Sequence, residues 1–406
     1  MPPTALRERL ASLSGGGHTP PHRPRPERHA PPGFEAVPTP HGVAWCLYDM
    51  IPVGRLRSSP PPLAHCYFDT ETTGLAGGTG TQVFAAATCV PQEAGLEVRQ
   101  LFLAEPAGEA AFLWLLQREL GRAPRLATYN GASFDLPLVR TRWVLSRLDG
   151  EFAHPEHLDL LHLTRALFKQ RLESCALHTV EERLLAFERD DDLPGALVPE
   201  AYFAYLRHGR SPWLEAALRH NRQDVVSLYY LHARLLEQVG GRSASMAAPD
   251  WLALGRHLWR QGRRADAWRA LRRAAESGSG AATAGASLLL ARELARHRRF
   301  AAAEQVLRRV HALRPYDPDL VSARARLLEW RLADLEEAAR IVGASLVGLS
   351  PHDARRPDLV YRLARLQRRL GRRSRSLPAP VSRPLRARSA ETERLWFEAP
   401  DFSAPA

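Results

Sequence analysis

Two carboxylates stand two residues apart in Cys66-Tyr67-Phe68-Asp69-Thr70-Glu71-Thr72-Thr73-Gly74. Tyr67 and Phe68 favour a strand, and on a strand residues i and i+2 project to one face. Asp69 and Glu71 are therefore predicted side by side, about 6–7 Å apart along the backbone. Neighbouring carboxylates repel unless protonated or bridged by a cation. Hard ions such as Mg²⁺ or Mn²⁺ take oxygen donors of this type. Standing alone, the pair reads equally as a solvated strand end.

Three further acidic positions follow in suggestive settings. In Leu126-Ala127-Thr128-Tyr129-Asn130-Gly131-Ala132-Ser133-Phe134-Asp135 a short strand meets an Asn-Gly turn, and a helix starts at Asp135. Asp159 lies in Leu158-Asp159-Leu160-Leu161-His162. His220 and Asp224 occupy positions i and i+4 of a helical stretch and share one face. Each acid has a plain structural reading: Asp135 as a helix cap before Leu136-Pro137, Asp224 as a helix surface charge.

The order D-x-E, N-G-x-x-F-D, H-x-x-x-D resembles the DEDD exonuclease superfamily, built on a ribonuclease H-like fold. The run from Asp69 through Thr-Glu-Thr-Thr-Gly-Leu-Ala-Gly-Gly-Thr-Gly-Thr to Gln82, with Asp159-Leu-Leu-His later, is similar to bacterial YprB-type proteins of that fold. The resemblance covers roughly residues 40–238. It implies an α/β domain with a mixed sheet flanked by helices, and Asp69, Glu71, Asp135 and Asp224 as ligands of two Mg²⁺ or Mn²⁺ ions. It also implies phosphodiester hydrolysis, with 3′→5′ polarity on single-stranded ends. The family usually places His five residues before the last Asp, or Tyr four before it. Here His220 stands in the Tyr spacing.

Two-metal hydrolysis needs a carboxylate bridging both ions, and Asp69 is the candidate from its place at the start of the motif. His220 is the candidate to orient or deprotonate the attacking water. Thr70, Thr72, Asn130 and Phe134 are candidate substrate contacts, with Asn130 alternatively shaping the turn before Asp135. Phe84 and Phe134 read as base-stacking or core aromatics. Two readings stand for Asp159, cap of the following helix or extra acid near the metals.

The elements that must position these residues are predicted as follows. Strands cover 42–48, 67–69, 83–90 and 96–103, the last three forming an antiparallel meander. A helix covers 109–120, and strand 125–129 runs parallel beside the first acid-bearing strand. Helices lie near 136–148, 159–168, 176–187, 199–208 and 213–237, the layering of a ribonuclease H-like domain over 41–240. The glycines of 74–80 lack the Gly-Lys-Ser/Thr of a phosphate loop and read as a tight turn beside the acids. Residues 250–372 repeat Trp251-x-x-Leu254-Gly255, Ala267, Leu271 and Ala274 about 36 residues later as Leu290-Ala291, Leu294, Ala303 and Leu307. This resembles tetratricopeptide repeats, stacked helix pairs that present a surface to protein partners. Residues 1–40 and 373–406, rich in Pro and Arg, are predicted to be disordered.

Composition sets outer bounds. The 406 residues suffice for two domains. No apolar run is long enough to span a bilayer, and the first ten residues lack a secretory core. A cytoplasmic protein is predicted. Four scattered cysteines without C-x-x-C argue against a zinc site or a disulfide framework. The net charge of +12 suits a nucleic-acid partner, DNA or RNA. Nearly all of it is arginine, however, since Lys169 is the sole lysine. The Arg269, Arg272-Arg273, Arg298-Arg299, Arg308-Arg309 and Arg368-Arg369 clusters read as a solvated face or a binding one. The competing function is a nucleic-acid-binding scaffold on a degenerate nuclease fold, and structure-selective endonuclease action is a third possibility.

Overall fold

The computed structural model describes residues 30–53, 64–74, 78–187, 194–241, 246–374 and 399–400. The strands are β1 (Glu35–Thr39), β2 (Gly42–Ile51), β3 (His65–Thr72), β4 (Val83–Gln92), β5 (Gly95–Phe102), β6 (Arg125–Thr128) and β7 (Glu156–Asp159). They form one mixed sheet in the order β1-β2-β5-β4-β3-β6-β7. β3, β6 and β7 run parallel, and the remaining pairs are antiparallel. The helices on it are α1 (Glu109–Leu120), α2 (Asp135–Leu145), α3 (Leu160–Phe168), the short α4 (Leu177–Val180), α5 (Val198–His208) and α6 (Pro212–Val239).

β4 is apolar almost end to end because it is central and covered on both faces. The two faces feed separate cores. Cys66, Phe68, Ala86 and Leu101 pack with Phe112 and Leu116 of α1, Val139 of α2 and Tyr202 of α5. Tyr67, Ala87, Cys89 and Val98 pack with Phe168 of α3 and Val225 and Leu228 of α6. Burial pushes the Cys66 thiol up to about 12, consistent with cysteines used as small apolar residues.

Seven more helices follow: α7 (Ala248–Arg260), α8 (Arg264–Glu276), α9 (Ala281–Arg296), α10 (Phe300–Leu313), α11 (Pro318–Trp330), α12 (Leu335–Gly348) and α13 (Arg356–Ser374). Each packs mainly on its sequence neighbours, the pattern of a helical array. Gly255 permits the α7–α8 crossing, since a Cβ there would meet Leu271 Cγ at 2.7 Å. The array is not a separate body: Trp251, Leu252 and Leu258 of α7 belong to the same core as Phe168 and Leu228. Arg171 ties the junction to the buried Asp250 carboxylate at 2.8 Å.

The meander, the parallel β3–β6 pair and α1 fall where the sequence places them. Three expectations are corrected. Residues 35–39, assigned to a disordered arm, form edge strand β1, held by β2. The helix expected from 159 begins at Leu160, because Glu156–Asp159 is a strand. The helix expected over 176–187 is one α-helical turn running into a π-type turn, Glu181–Leu185, which Ala186 closes at φ 55°. Residues 1–29, 75–77 of the glycine turn and most of the tail (375–398 and 401–406) lie outside the described residues. No described helix is long and apolar enough to cross a membrane.

Candidate active site

The acids gather at the carboxyl ends of the parallel strands, where open α/β sheets place their ligand crevices. Asp69 and Glu71 lie on the face of β3 that α6 covers. Their partners across the β3–β4 ladder are Ala87 and Ala85, so small side chains leave space around both carboxylates. Asp135 is the first residue of α2, directly after β6. Asp224 faces the sheet from the middle of α6 and is buried. Asp224, Asp135 and Glu71 all act on Asp69, and with burial, the largest cause, they hold its pKa well above the usual carboxylate range. Burial likewise moves Asp135 up to about 6, against the Thr70 hydroxyl and backbone amides that stabilise its anion; Asp159 raises it further.

Each carboxylate also leans on a local partner. The Thr70 hydroxyl donates to Asp135 Oδ1 in a short hydrogen bond. His220 Nε2 lies 3.4 Å from Asp224 Oδ2 across one helical turn. Asn221 Nδ2 donates to Asp69 Oδ2 at 2.9 Å. The acids thus converge without closing a coordination shell: among the described residues, no three His, Cys, Asp or Glu side chains are gathered tightly enough to hold an ion as they stand. The donor set nevertheless fits a hard divalent cation. It consists of carboxylate oxygens, those of Asp69 and Asp135 held at raised pKa, and a cation would relieve their mutual repulsion.

Asn221 and Gln100 are the residues the sequence reading missed. Both are fully buried. Gln100 lies opposite Ala87 on β5, so Asp69, Ala87 and Gln100 form a row across three strands. Gln100 Nε2 donates to Asn221 Oδ1 and to Leu218 O, each at 2.9 Å. The amide of Asn221 is thereby fixed in orientation and aimed at Asp69. About three turns further along α6, His232 Nδ1 is hydrogen-bonded to the Tyr67 hydroxyl at 2.9 Å. Burial, reinforced by His65, lowers His232 to about 4 and keeps it neutral. The helix is pinned to β3 at two points, one of them the acid itself. The available signal was Gln100, a polar residue at an inward position of Leu96-x-Val98-x-Gln100.

Asp159 takes the structural one of its two readings. Its carboxylate caps α3 through the Leu161 amide (3.0 Å) and accepts from the Asn130 (2.9 Å) and Ala132 (3.2 Å) amides. It therefore shapes the turn that presents Asp135. Asn130 in that turn has φ 69°, and a Cβ on Gly131 would meet Thr128 Oγ1 at 2.4 Å. Asp135 does not cap α2, which has no side-chain cap. The Thr72 hydroxyl donates to Gly74 O at 2.8 Å. The Thr70 and Thr72 hydroxyls thus both donate within the protein, and both residues are buried. Phe84 stacks on Tyr202 in the core at 4.5 Å, while Phe134 stays half-buried at the start of α2, and Asn130 is exposed. A cavity of about 1140 Å³ near Tyr205 and Trp213 is lined by none of the acids.

Residues 66–236 match the family model described as RNase_H superfamily. The mixed sheet flanked by helices is consistent with that match. Over 175 residues the chain is 38% identical to a Bacillus subtilis (strain 168) protein named "Uncharacterized protein YprB". That alignment takes in 43% of this chain and 42% of the relative, so the chain spans less than half of the relative's length. A solved structure of the family B DNA polymerase from the hyperthermophilic archaeon Pyrobaculum calidifontis aligns with 80% of this chain and 50% of its own. At 15% identity and a TM-score of 0.34 that likeness carries no argument.

Proposed function

We propose that the domain is a divalent-metal-dependent nuclease that hydrolyses phosphodiester bonds by a two-metal mechanism, acting 3′→5′ on single-stranded ends. The observation that carries this reading is the convergence of Asp69, Glu71, Asp135 and Asp224, from three separate elements, upon Asp69. A buried group of like charges is unfavourable unless it has a cation to hold. Mg²⁺ or Mn²⁺ bound there would activate the attacking water and stabilise the leaving oxygen. Asp69 would bridge the two ions, and Glu71, Asp135 and Asp224 would complete their shells.

The remaining groups prepare that arrangement. Asn221 holds one oxygen of Asp69 through its side-chain amide. Thr70 orients Asp135, and Asp159 holds the turn beneath it. His220, half-buried beside Asp224, would orient the water or take its proton. The polarity follows from the resemblance of the motifs alone. The α7–α13 array is read as tetratricopeptide-like and as a surface for a protein partner.

Incubating a 5′-labelled single strand with Mn²⁺ and either the parent or Asp69→Asn tests the proposal. A metal-dependent ladder shortening from the 3′ end with the parent, and no product with the variant, is expected. Equal binding with no product from either would assign the domain to a scaffold. Cuts in a circular strand would assign it to endonucleolytic action.

A further inference from the structure

Two clefts meet along α7. One, of about 350 Å³, lies between α3 and α7 and includes Arg165, Lys169, Arg256 and Arg260. The other, of about 500 Å³, lies between α7 and α9 and includes Arg256, Arg260, Trp259 and Arg292. Arg256 and Arg260 line both, so the two are one continuous groove running from the nuclease domain onto the array. The cations are exposed and fall in register: Arg165 and Lys169, then Arg256 and Arg260, each pair one turn apart on its helix.

The charge here is uncompensated. None of these five cations has a carboxylate within ion-pair distance among the described residues. The one acid lining the groove, Glu293, is buried and already engaged by Arg296 at 3.2 Å and His297 at 3.4 Å. Other arginines of the array are neutralised in place: Arg263 and Arg269 share Asp266, and Arg362, Arg365 and Arg369 converge on Glu329. The cations that matter are separated in sequence and brought together by folding.

We infer that this groove binds the sugar-phosphate backbone of single-stranded nucleic acid, feeding a strand along α3 to the acidic cluster. The choice of ligand rests on the nuclease reading above. α3 is capped by Asp159, whose carboxylate also holds the turn leading to Asp135. Its basic face then runs away from the acids for about 14 Å, nine residues at the helical rise. A polymer with one phosphodiester at the acids presents further phosphates along that line. Trp259 is half-buried in the groove with Arg264 over its ring at 4.3 Å. An acidic peptide would match the charge but would not explain the line of cations leading to the acids.

The test is fluorescence anisotropy of labelled oligodeoxy- and oligoribonucleotides in EDTA, with the full chain, across a salt series. The parent is expected to bind single strands with log K falling linearly against log salt. Arg256→Ala/Arg260→Ala/Arg292→Ala is expected to bind about tenfold or more weakly, its salt slope shallower by about 2, since each lost phosphate contact removes roughly 0.7. Arg263→Ala/Arg340→Ala, on the same array, is expected to change neither. Because the altered side chains are exposed, unchanged melting will separate lost binding from lost folding. An unchanged slope in the triple variant overturns the proposal, as does polyglutamate that displaces the strand at equal charge concentration. Metal-free binding is independent of hydrolysis, so either reading can fail alone.

Discussion

Asp69 carries opposed demands. Burial and three carboxylates favour its neutral form, while the Asn221 amide favours the anion. Asp135, moved up to about 6, has the same sign. Its contribution to stability is full below the unfolded value near 4 and is lost as pH rises through about 6. A shift of about two units corresponds to roughly 3 kcal/mol. Without divalent ions the chain is therefore expected to melt lower at pH 7 than at pH 5. Asp69→Asn, which keeps shape and removes one charge, is expected to raise the metal-free melting temperature at pH 7.5 by a few degrees. It should also abolish stabilisation by Mn²⁺. A lower metal-free melting temperature in the variant would contradict the repulsion. Asn221→Ala strips Asp69 and Gln100 of a buried partner and is expected to cost about 1–3 kcal/mol. It should lower kcat more than it changes KM, whereas a purely structural loss would leave the kcat of the folded fraction intact. The four acids were singled out by the resemblance of their motifs to a known family, and spacing assigned only the shared faces of Asp69 with Glu71 and of His220 with Asp224. Asn221 was not legible, because its role depends on Gln100, which is distant in sequence and polar where the strand pattern asks for an apolar residue.

Among elements, the β6–α2 turn is the most exacting. Three amides converge on Asp159, so Asp159→Ala loses a helix cap and two turn contacts together. A cost of about 2 kcal/mol or more is expected in chemical denaturation. Asp159→Asn keeps one acceptor oxygen and is expected to retain measurable cleavage, which a metal ligand would not. Gly131→Ala pushes a Cβ into Thr128 and is expected to cost about 1–3 kcal/mol by overpacking; equal denaturation midpoints would contradict that turn geometry. Strands rich in apolar residues were readable, including most of β4 and β5. β7, the polar Glu-His-Leu-Asp at the sheet edge, and β1, which has Pro38 in it, carry no alternation to detect. Only pairing with a neighbour makes them strands.

For the whole molecule, the shared core of α3, α6 and α7 predicts that sheet domain and array unfold together. Trp251→Ala is expected to cost about 3–5 kcal/mol and to shift one common transition, followed both by a probe in α12 and by one near β3. Separate transitions would show that the junction does not couple them. The sequence marked where the helical array begins and not how it docks, because Trp251 and Leu258 read equally as repeat-internal packing. The groove along α7 was hidden for the same reason: its cations come from three helices that only the docking brings together.

The account stands on the acids holding divalent cations, and the most direct measurement is the depletion of free Mn²⁺ signal in electron paramagnetic resonance as parent or Asp69→Asn is added. The parent is expected to sequester two ions per chain when a nucleoside monophosphate is present, and Asp69→Asn at most one, weakly. Identical titrations for the two proteins, or no saturable binding by the parent, would contradict it.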